Sequence, residues 1–422
     1  MPTASISTTF AGRLAGVIAV QRGGQPGADG ANFYIRGIST MSGATNPLII
    51  LDGVEISSGD LNTIDPEIID GFSILKDATA TAMYGTRGAN GVMIITTKSG
   101  RNIDKPIINF RLEGSVSTPT SRPKFVDGAT YMELFNEGLR HDGSGETPYT
   151  DDEIAGTRAH LNPYVYPDVN WYDEMFKDQS FNQTFNINVR GGGRRVDYFS
   201  SMTITHETGM LKNRSEEFFS YKNNINRMRY SFQNNINAYL SPSSRLSLRL
   251  NVQMTDGKAP NADVGSLFSA AINTSPVEAP VYFPADGIAD HIKWGVNDRL
   301  KPGLQDNPMA QLVKGYNDSF TSTVVAALEF EQKLDFLTKG LSFKALASFK
   351  NWSSNTNSTY SNWNKYHLQE FTVNDGVYDI VTRLQNTDGT VTDTALKAGV
   401  SNSGDRRFYL QALLNYERTF GQ

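Results

Sequence analysis

The 422-residue chain contains no cysteine, which removes disulfide frameworks and thiolate metal sites from consideration. It has no run of roughly 18 or more apolar residues, so no segment can cross a bilayer as a helix. Positive charge is not in excess: 39 Lys and Arg against 44 Asp and Glu give a net charge of −5, without the basic stripe expected of a nucleic-acid binder. Met1 to Phe10 lacks the charged start and continuous apolar core of a secretory leader. His141, His160, His206, His291 and His367 are scattered, with neither an HExxH nor any other metal-ligand spacing. GxxxxGK[ST] and GxSxG are missing, and no catalytic carboxylate pair stands out from the dispersed acids. Hydropathy alone would label such a chain soluble. That label is not decisive, because the strands of a membrane barrel carry only a weak, alternating signal.

The most informative stretch present is Phe72 to Gly100, FSILKDATATAMYGTRGANGVMIITTKSG. The pattern predicts an apolar strand (Phe72 to Leu75), a turn, and a brief Ala-rich helix from Ala78 to Tyr84 with Asp77 as its N-cap. Gly85 then stands where a left-handed C-terminal residue is wanted. A loop punctuated by Gly88 and Gly91 leads to a second strand, Val92 to Thr97, closed by Lys98. Upstream, Asp52-Gly53 between Leu48-Ile49-Ile50-Leu51 and Val54-Glu55-Ile56 is a hairpin signal, since a two-residue turn needs positive φ.

Four motifs in fixed order carry more weight than any one of them. AGRLAGV (Ala11 to Val17), Tyr34-Ile35-Arg36-Gly37, NPLIILDGV (Asn46 to Val54) and the block from Leu75 to Gly100 together resemble the plug domain of TonB-dependent outer-membrane receptors. The LKDA form at Leu75 to Ala78 resembles the SusC/RagA subgroup. The resemblance implies an α+β plug over residues 1–104. Residues 105–422 would form an all-β, partial transmembrane antiparallel β-barrel, about eight strands of the roughly 22 in the plugged class. The chain would then be a fragment: the leader, an N-terminal extension, the TonB-contact segment and the first plug strand have no counterpart before Ala11. The function implied is TonB-dependent uptake of large nutrients, commonly oligosaccharides and sometimes peptides, at the outer membrane of a Gram-negative bacterium. A SusD-like surface lipoprotein would serve as lid, and neither enzymatic activity nor a cofactor is implied. Arg36, Gly37, Asp52, Gly53, Lys76, Asp77, Tyr84, Gly85, Arg87 and Gly91 match the plug motifs and would hold structural or gating roles. For Arg36, Lys76 and Arg87, an ion pair with a lumen carboxylate is favoured over substrate contact, because buried charges are normally paired.

From Asp104 onward, period-two alternation takes over. Leu246, Leu248, Leu250, Val252 and Met254 share one face, and Arg245, Ser247, Arg249, Asn251 and Gln253 the other. Similar rows recur, and strands are expected near 107–117, 181–190, 195–208, 228–240, 245–256, 319–335, 341–352 and 404–420. Short links at 191–194, 241–244 and 336–340 alternate with longer ones, chiefly 118–180, 257–318 and 353–403. Short periplasmic turns and long outer loops are the asymmetry of outer-membrane barrels. Arg245, Arg249, Lys344 and Lys350 all fall on the polar register, and Asn234 is the exception on the apolar one. Outward tyrosines 198, 230 and 416 would lie at the membrane interfaces.

Within the links, Asp127 to Arg140 reads as a capped helix with Tyr131, Leu134, Phe135 and Leu139 on one side, and Thr150 with Glu153 has capping-box spacing. Asn170-Trp171 and the adjoining DEMF resemble the family's segment before its second strand. Trp171, Trp294, Trp352 and Trp363 have the chemistry to stack on sugars, although loop packing accounts for them equally. A soluble or surface-attached β-rich glycan-binding protein is the competing reading: it explains the alternation but not the ordered plug motifs.

Overall fold

The structure, a computed structural model, describes residues 5–10, 14–21, 23–35, 45–77, 81–143, 145, 147–287, 289–296, 306–386 and 389–419. The N-terminal part holds an antiparallel pair, β1 (Val17–Gln21) and β2 (Ala31–Ile35). It also holds a mixed sheet of β3 (Leu48–Leu51), β4 (Val54–Ile56), β5 (Ile69–Leu75) and β6 (Val92–Thr97) in the order β4-β3-β6-β5. β3 runs parallel to β6 and all four of its residues are buried, as a strand covered on both faces requires. The expected β3–β4 hairpin is present, with φ of 46° at Asp52 and 88° at Gly53. The next helix, Ser58–Thr63, starts at a reciprocal capping box between Ser57 and Asp60. Ile49, Leu51, Leu61, Ile64, Met93 and Ile95 form an apolar core with Phe10 and Phe33, which meet edge to face at 5.2 Å.

Two details differ from expectation. The strand expected from Phe72 begins at Ile69. Of the helix expected over Ala78 to Tyr84, the first three residues lie outside the described residues. Thr81 is helical, its N–H donating to the Asp77 carbonyl at 2.9 Å four residues back, and Ala82–Gly88 continues as a 3-10 segment broken at Gly85 by φ 59° and ψ −146°.

The rest of the chain builds eight strands into one antiparallel meander: β7 (Ile107–Ser117), β8 (Ser180–Gly192), β9 (Val196–Thr208), β10 (Asn226–Ser241), β11 (Ser244–Pro260), β14 (Gly315–Lys333), β15 (Leu341–Tyr360) and β18 (Lys397–Tyr416). Each corresponds to an expected strand, and most run a few residues longer. The long links add a smaller sheet, β12 (Tyr282–Phe283), β13 (Lys293–Gly295), β16 (Asn364–Asn374) and β17 (Val377–Leu384), in which β13 pairs in parallel with β16. They also carry helices Gly128–His141, Asp151–Arg158, Trp171–Met175, Val264–Asn273 and Pro308–Val313. The helix cap at Asp127 and the capping box at Thr150 and Glu153 are as expected. On Gly128–His141, Tyr131 and Phe135 of the expected side pack against the cluster that buries Ala129 and Met132, Asn136 is buried as well, and Leu134 is exposed.

Register fixes the slope of the large sheet. One row of neighbours runs Ile108, Val189, Ser200, Asn234, Leu250, Ala326, Phe349, Phe408. At β7 and β8 this row is the lower limit of the outward apolar residues. At β15 and β18 that limit is the pair Leu341 and Tyr416, eight positions further along β18. Eight residues at about 3.4 Å over seven strand steps of about 4.8 Å give a tilt of roughly 39°, within the roughly 35–45° of membrane barrels. The same slope explains the row Phe232, Val252, Val324, Asn351, Arg406. It starts among apolar residues and leaves the band before reaching Arg406.

Candidate functional site

Burial in the eight-stranded wall is inverted relative to a soluble sheet. Gln233 and Asn235 are 1 % exposed and Asn251 3 %, whereas Leu248 is 40 % exposed and Leu112 72 %. The concave face is polar and covered by the N-terminal part; the convex face is apolar and bare. Leu246 to Met254 spans about 27 Å along the strand at about 3.4 Å per residue, or roughly 20 Å of height once tilted, near the roughly 25 Å apolar band of a membrane barrel. An open apolar face of this extent is stable only against an apolar medium. Asn234, the exception, turns its amide to Ser200 Oγ at 3.2 Å on the neighbouring strand, which lowers its cost there.

The covered face meets the N-terminal part through a directional hydrogen-bond chain. Thr63 Oγ1 donates to Gln253. Gln253 donates to Asn251 at 2.8 Å, Asn251 to Gln233 at 2.8 Å, and Gln233 to Asn235 at 2.6 Å. Asn235 then donates back to Thr97 Oγ1 at 2.6 Å and the Lys98 carbonyl at 2.7 Å, and Thr97 Oγ1 to Asp52 at 2.6 Å. A second chain runs from Asn109 through Asn188 to Asn186, whose amide reaches Thr203 and Asp65 at 2.7 and 3.3 Å. Lys350 of β15 pairs with Asp60, both side chains under 9 % exposed. Buried polar groups persist only when satisfied in this way. Phe199, Val325, Ala327 and Leu346 supply the apolar patches of the same contact.

Of the residues matched to the plug motifs, those of the β3–β4 turn lie at this interface. Asp52 accepts from both the Thr97 N–H at 3.0 Å and its hydroxyl; burial pushes its carboxyl above the ordinary range, and the Thr97 bonds oppose the shift. Gly53 has the positive φ of the turn and faces Leu346 of the wall. Gly91, φ 88°, leaves no room for a Cβ, which would meet Ile35 at 2.9 Å. Tyr84 packs against Leu48, Ile50 and Val92. Lys76 donates to the Ala15 carbonyl rather than to a lumen carboxylate. Arg87 pairs with Glu55 of β4, and the wall's Arg407 lies 3.8 Å from that same carboxylate. The Asp77 carbonyl accepts from Thr81 at 2.9 Å. Arg36 and Gly37 lie outside the described residues.

Sequence reasoning missed the space above this interface. A cavity of about 810 Å3 opens between Asp65–Phe72 and the loop-side halves of β7 to β10. Its walls carry Asp29, Asp65, Glu67, Asp70, Glu113 and Glu207, with Arg111 and Arg229. These come from segments about 200 positions apart, so no local motif announces them. The tryptophans divide. Trp171 and Trp294 are buried in the core of the long links, Trp171 donating to the Ser275 carbonyl at 3.0 Å. Trp363 is partly buried, with Lys365 Nζ 4.9 Å from its ring, and Trp352 is half-buried in β15.

A tilted antiparallel wall, apolar outside and polar inside, closed from within by a separate α+β unit, defines a plugged outer-membrane barrel. Residues 1–92 match the TonB-dependent Receptor Plug Domain family. The chain is 27% identical over 360 residues to the TonB-dependent receptor SusC of Bacteroides thetaiotaomicron, covering 79% of this chain and 32% of that protein. It is 27% identical over 329 residues to TonB-dependent receptor P26 of Formosa agariphila, 77% of this chain and 30% of the relative. Its fold is similar to that of the RagAB peptide importer in the open-open state, with a TM-score of 0.64 at 16% identity, covering 99% of this chain and 51% of that one. The chain thus spans about a third of the length of these sequence relatives and about half that of the solved chain. Residues 1–92 form a TonB-dependent receptor plug domain, and the chain as a whole is similar to SusC/RagA-type TonB-dependent receptors of the outer membrane over the plug and part of the barrel.

Proposed function

We propose that the receptor containing this chain imports large nutrients across the outer membrane, oligosaccharides foremost and peptides as the second class, and is not an enzyme. The observation that carries this reading is the inverted burial of the wall, which only a membrane-embedded, water-lined cylinder makes stable. Residues 1–104 act as the plug and 105–422 as barrel wall with its outer loops. A SusD-like lipoprotein covers the loops, and TonB supplies the energy that remodels the plug. Arg36, Gly37, Asp52, Gly53, Lys76, Asp77, Tyr84, Gly85, Arg87 and Gly91 hold the plug's gating end; the contact of Glu55 with both Arg87 and Arg407 supports that role.

The test is uptake by cells expressing the full-length receptor. Nutrient uptake should disappear in cells lacking TonB, while the receptor stays in the membrane through urea and salt washes. Recovery of the receptor in the soluble fraction overturns the reading. Arg87→Gln should lower uptake at unchanged membrane abundance if the gating assignment holds.

A further inference from the structure

We propose that the cavity above the plug binds a positively charged side chain, so that within its second cargo class, peptides, the receptor selects those containing lysine or arginine. The inference rests on the transport reading and names the chemistry of its cargo. Both guanidinium groups in the lining are already committed. Arg111 lies 2.5 Å from Glu67 and 3.0 Å from Glu113, and Arg229 is 3.2 Å from Glu207. Neither is left to attract an anion. Asp29, Asp65 and Asp70, by contrast, line the space with no cationic side chain within ion-pair distance among the described residues, Asp29 sensing Arg227 of β10 only from beyond that distance. Asp70 is exposed, Asp29 half-buried, and Asp65 forms the floor, held by Asn186.

A second observation points to a ligand independently of the acids. Ser231 lines the same cavity, is 5 % exposed, and its buried Oγ has no hydrogen-bond partner. Buried hydroxyls are normally satisfied, and a ligand N–H or carbonyl arriving from the cavity would complete this one. The cavity volume matches sites that enclose a short ligand segment, roughly 300–1,000 Å3. Phe72 is the sole aromatic among its described lining residues, and there is no Trp or Tyr platform for a sugar ring. Hydroxyls, amides and carboxylates dominate instead, which suits an extended backbone bearing an ammonium or guanidinium group.

Isothermal titration of the intact receptor compares tetralysine, tetra-alanine and tetraglucosamine. Tetralysine should bind tightest, and raising the salt should weaken it, as expected for an attraction between partly exposed charges. Asp29→Asn and Asp70→Asn, neither of them ion-paired to the wall among the described residues, should each weaken tetralysine by about fivefold, the upper range for one exposed ion pair, and leave tetra-alanine unchanged. The proposal is overturned if tetra-alanine or tetraglucosamine binds as tightly as tetralysine, or if the double substitution leaves tetralysine binding intact. Failure here, alongside TonB-dependent uptake of another nutrient, removes the cargo assignment alone. Loss of TonB dependence removes the transport reading itself.

Discussion

The plug and the wall bury opposite kinds of residue, and they touch. In the plug, Ile49, Leu61, Met93 and Ile95 are hidden at 1 % exposure or less, as in any water-soluble domain. A few ångströms away the wall hides Gln233, Asn235 and Asn251 and bares Leu248 and Leu328. One chain therefore obeys two solvation rules, and the difference lies in the medium on the far side of each element. Apolar plug residues escape water by facing each other. Apolar wall residues need no protein partner, because the surrounding lipid is as apolar as they are. The wall's polar residues then become its interior, and hydrogen bonding takes over the task that packing performs in the plug.

The contrast is sharpest where a charge crosses the boundary between the two. Asp60 of the plug and Lys350 of the wall are both buried and paired. Removing one partner leaves the other charge without compensation, a cost of about 3–5 kcal/mol, while replacing both with apolar groups is often nearly neutral. Lys350→Met should therefore undock the plug, seen as new trypsin cleavage within residues 58–105 of the membrane-inserted receptor. Asp60→Asn combined with Lys350→Met should restore most of the protection. Equal cleavage in the single and double variants would show that the pair does not hold the plug.

The outward face predicts the next largest effect. Leu248→Arg places a charge in the middle of the apolar band, which costs about 2–4 kcal/mol in a membrane barrel. The urea midpoint of the refolded receptor in lipid vesicles should fall accordingly. Ser247→Arg, one residue along, points the same charge to the plug side and should disturb plug docking more than barrel insertion. If the two variants lose insertion equally, the assignment of inner and outer faces is wrong.

Hydrogen bonding inside the wall carries less. The Asn235 amide donates to the plug twice, at Thr97 and Lys98. Asn235→Ala should cost about 1–3 kcal/mol of plug docking, the penalty for leaving buried acceptors unpaired. It should leave barrel insertion unchanged, which hydrogen exchange of the β6 amides against those of β10 can separate.

The same two rules decide how much of the molecule was legible in the sequence. The eight wall strands could be read because lipid on one side and water on the other impose strict period-two alternation, as in Leu246 to Met254. The β3–β4 turn was legible because Asp52-Gly53 is local chemistry. The loop sheet was not: β13 has three residues and joins β16 about seventy positions later, so neither period nor proximity betrays it. On helix Gly128–His141 the packing of Tyr131 and Phe135 was legible, but the burial of Asn136, a polar residue, was not. Its amide donates to the Tyr149 carbonyl at 2.7 Å and its oxygen accepts from the Tyr149 N–H at 3.2 Å. A count of apolar side chains cannot see a polar group made compatible with burial by its partners. The cavity acids escaped for a related reason: Asp29, Glu113 and Glu207 converge only once the sheet has curved around the plug.

The smallest effect tests whether the plug's own polar contact obeys the soluble rule. Burial raises the Asp52 carboxyl above its ordinary value of 3.8 in spite of two bonds from Thr97. The folded state thus holds this proton more tightly than the unfolded chain does, and plug stability should fall as pH rises from about 3.8 through the raised folded value, then level off. Asp52→Asn keeps an acceptor for the Thr97 N–H, suits the positive φ at this position, and cannot ionise. Its plug should match the parent's at low pH and exceed it above the transition, with that segment of the pH profile flattened. An Asn variant that keeps the parent's slope would mean that another group titrates in this window. A parent that gains stability there would mean that the Thr97 bonds, assisted by the charge of Arg249 of the wall, outweigh desolvation. The protonation of Asp52 would then be governed by hydrogen bonding and charge rather than by its burial.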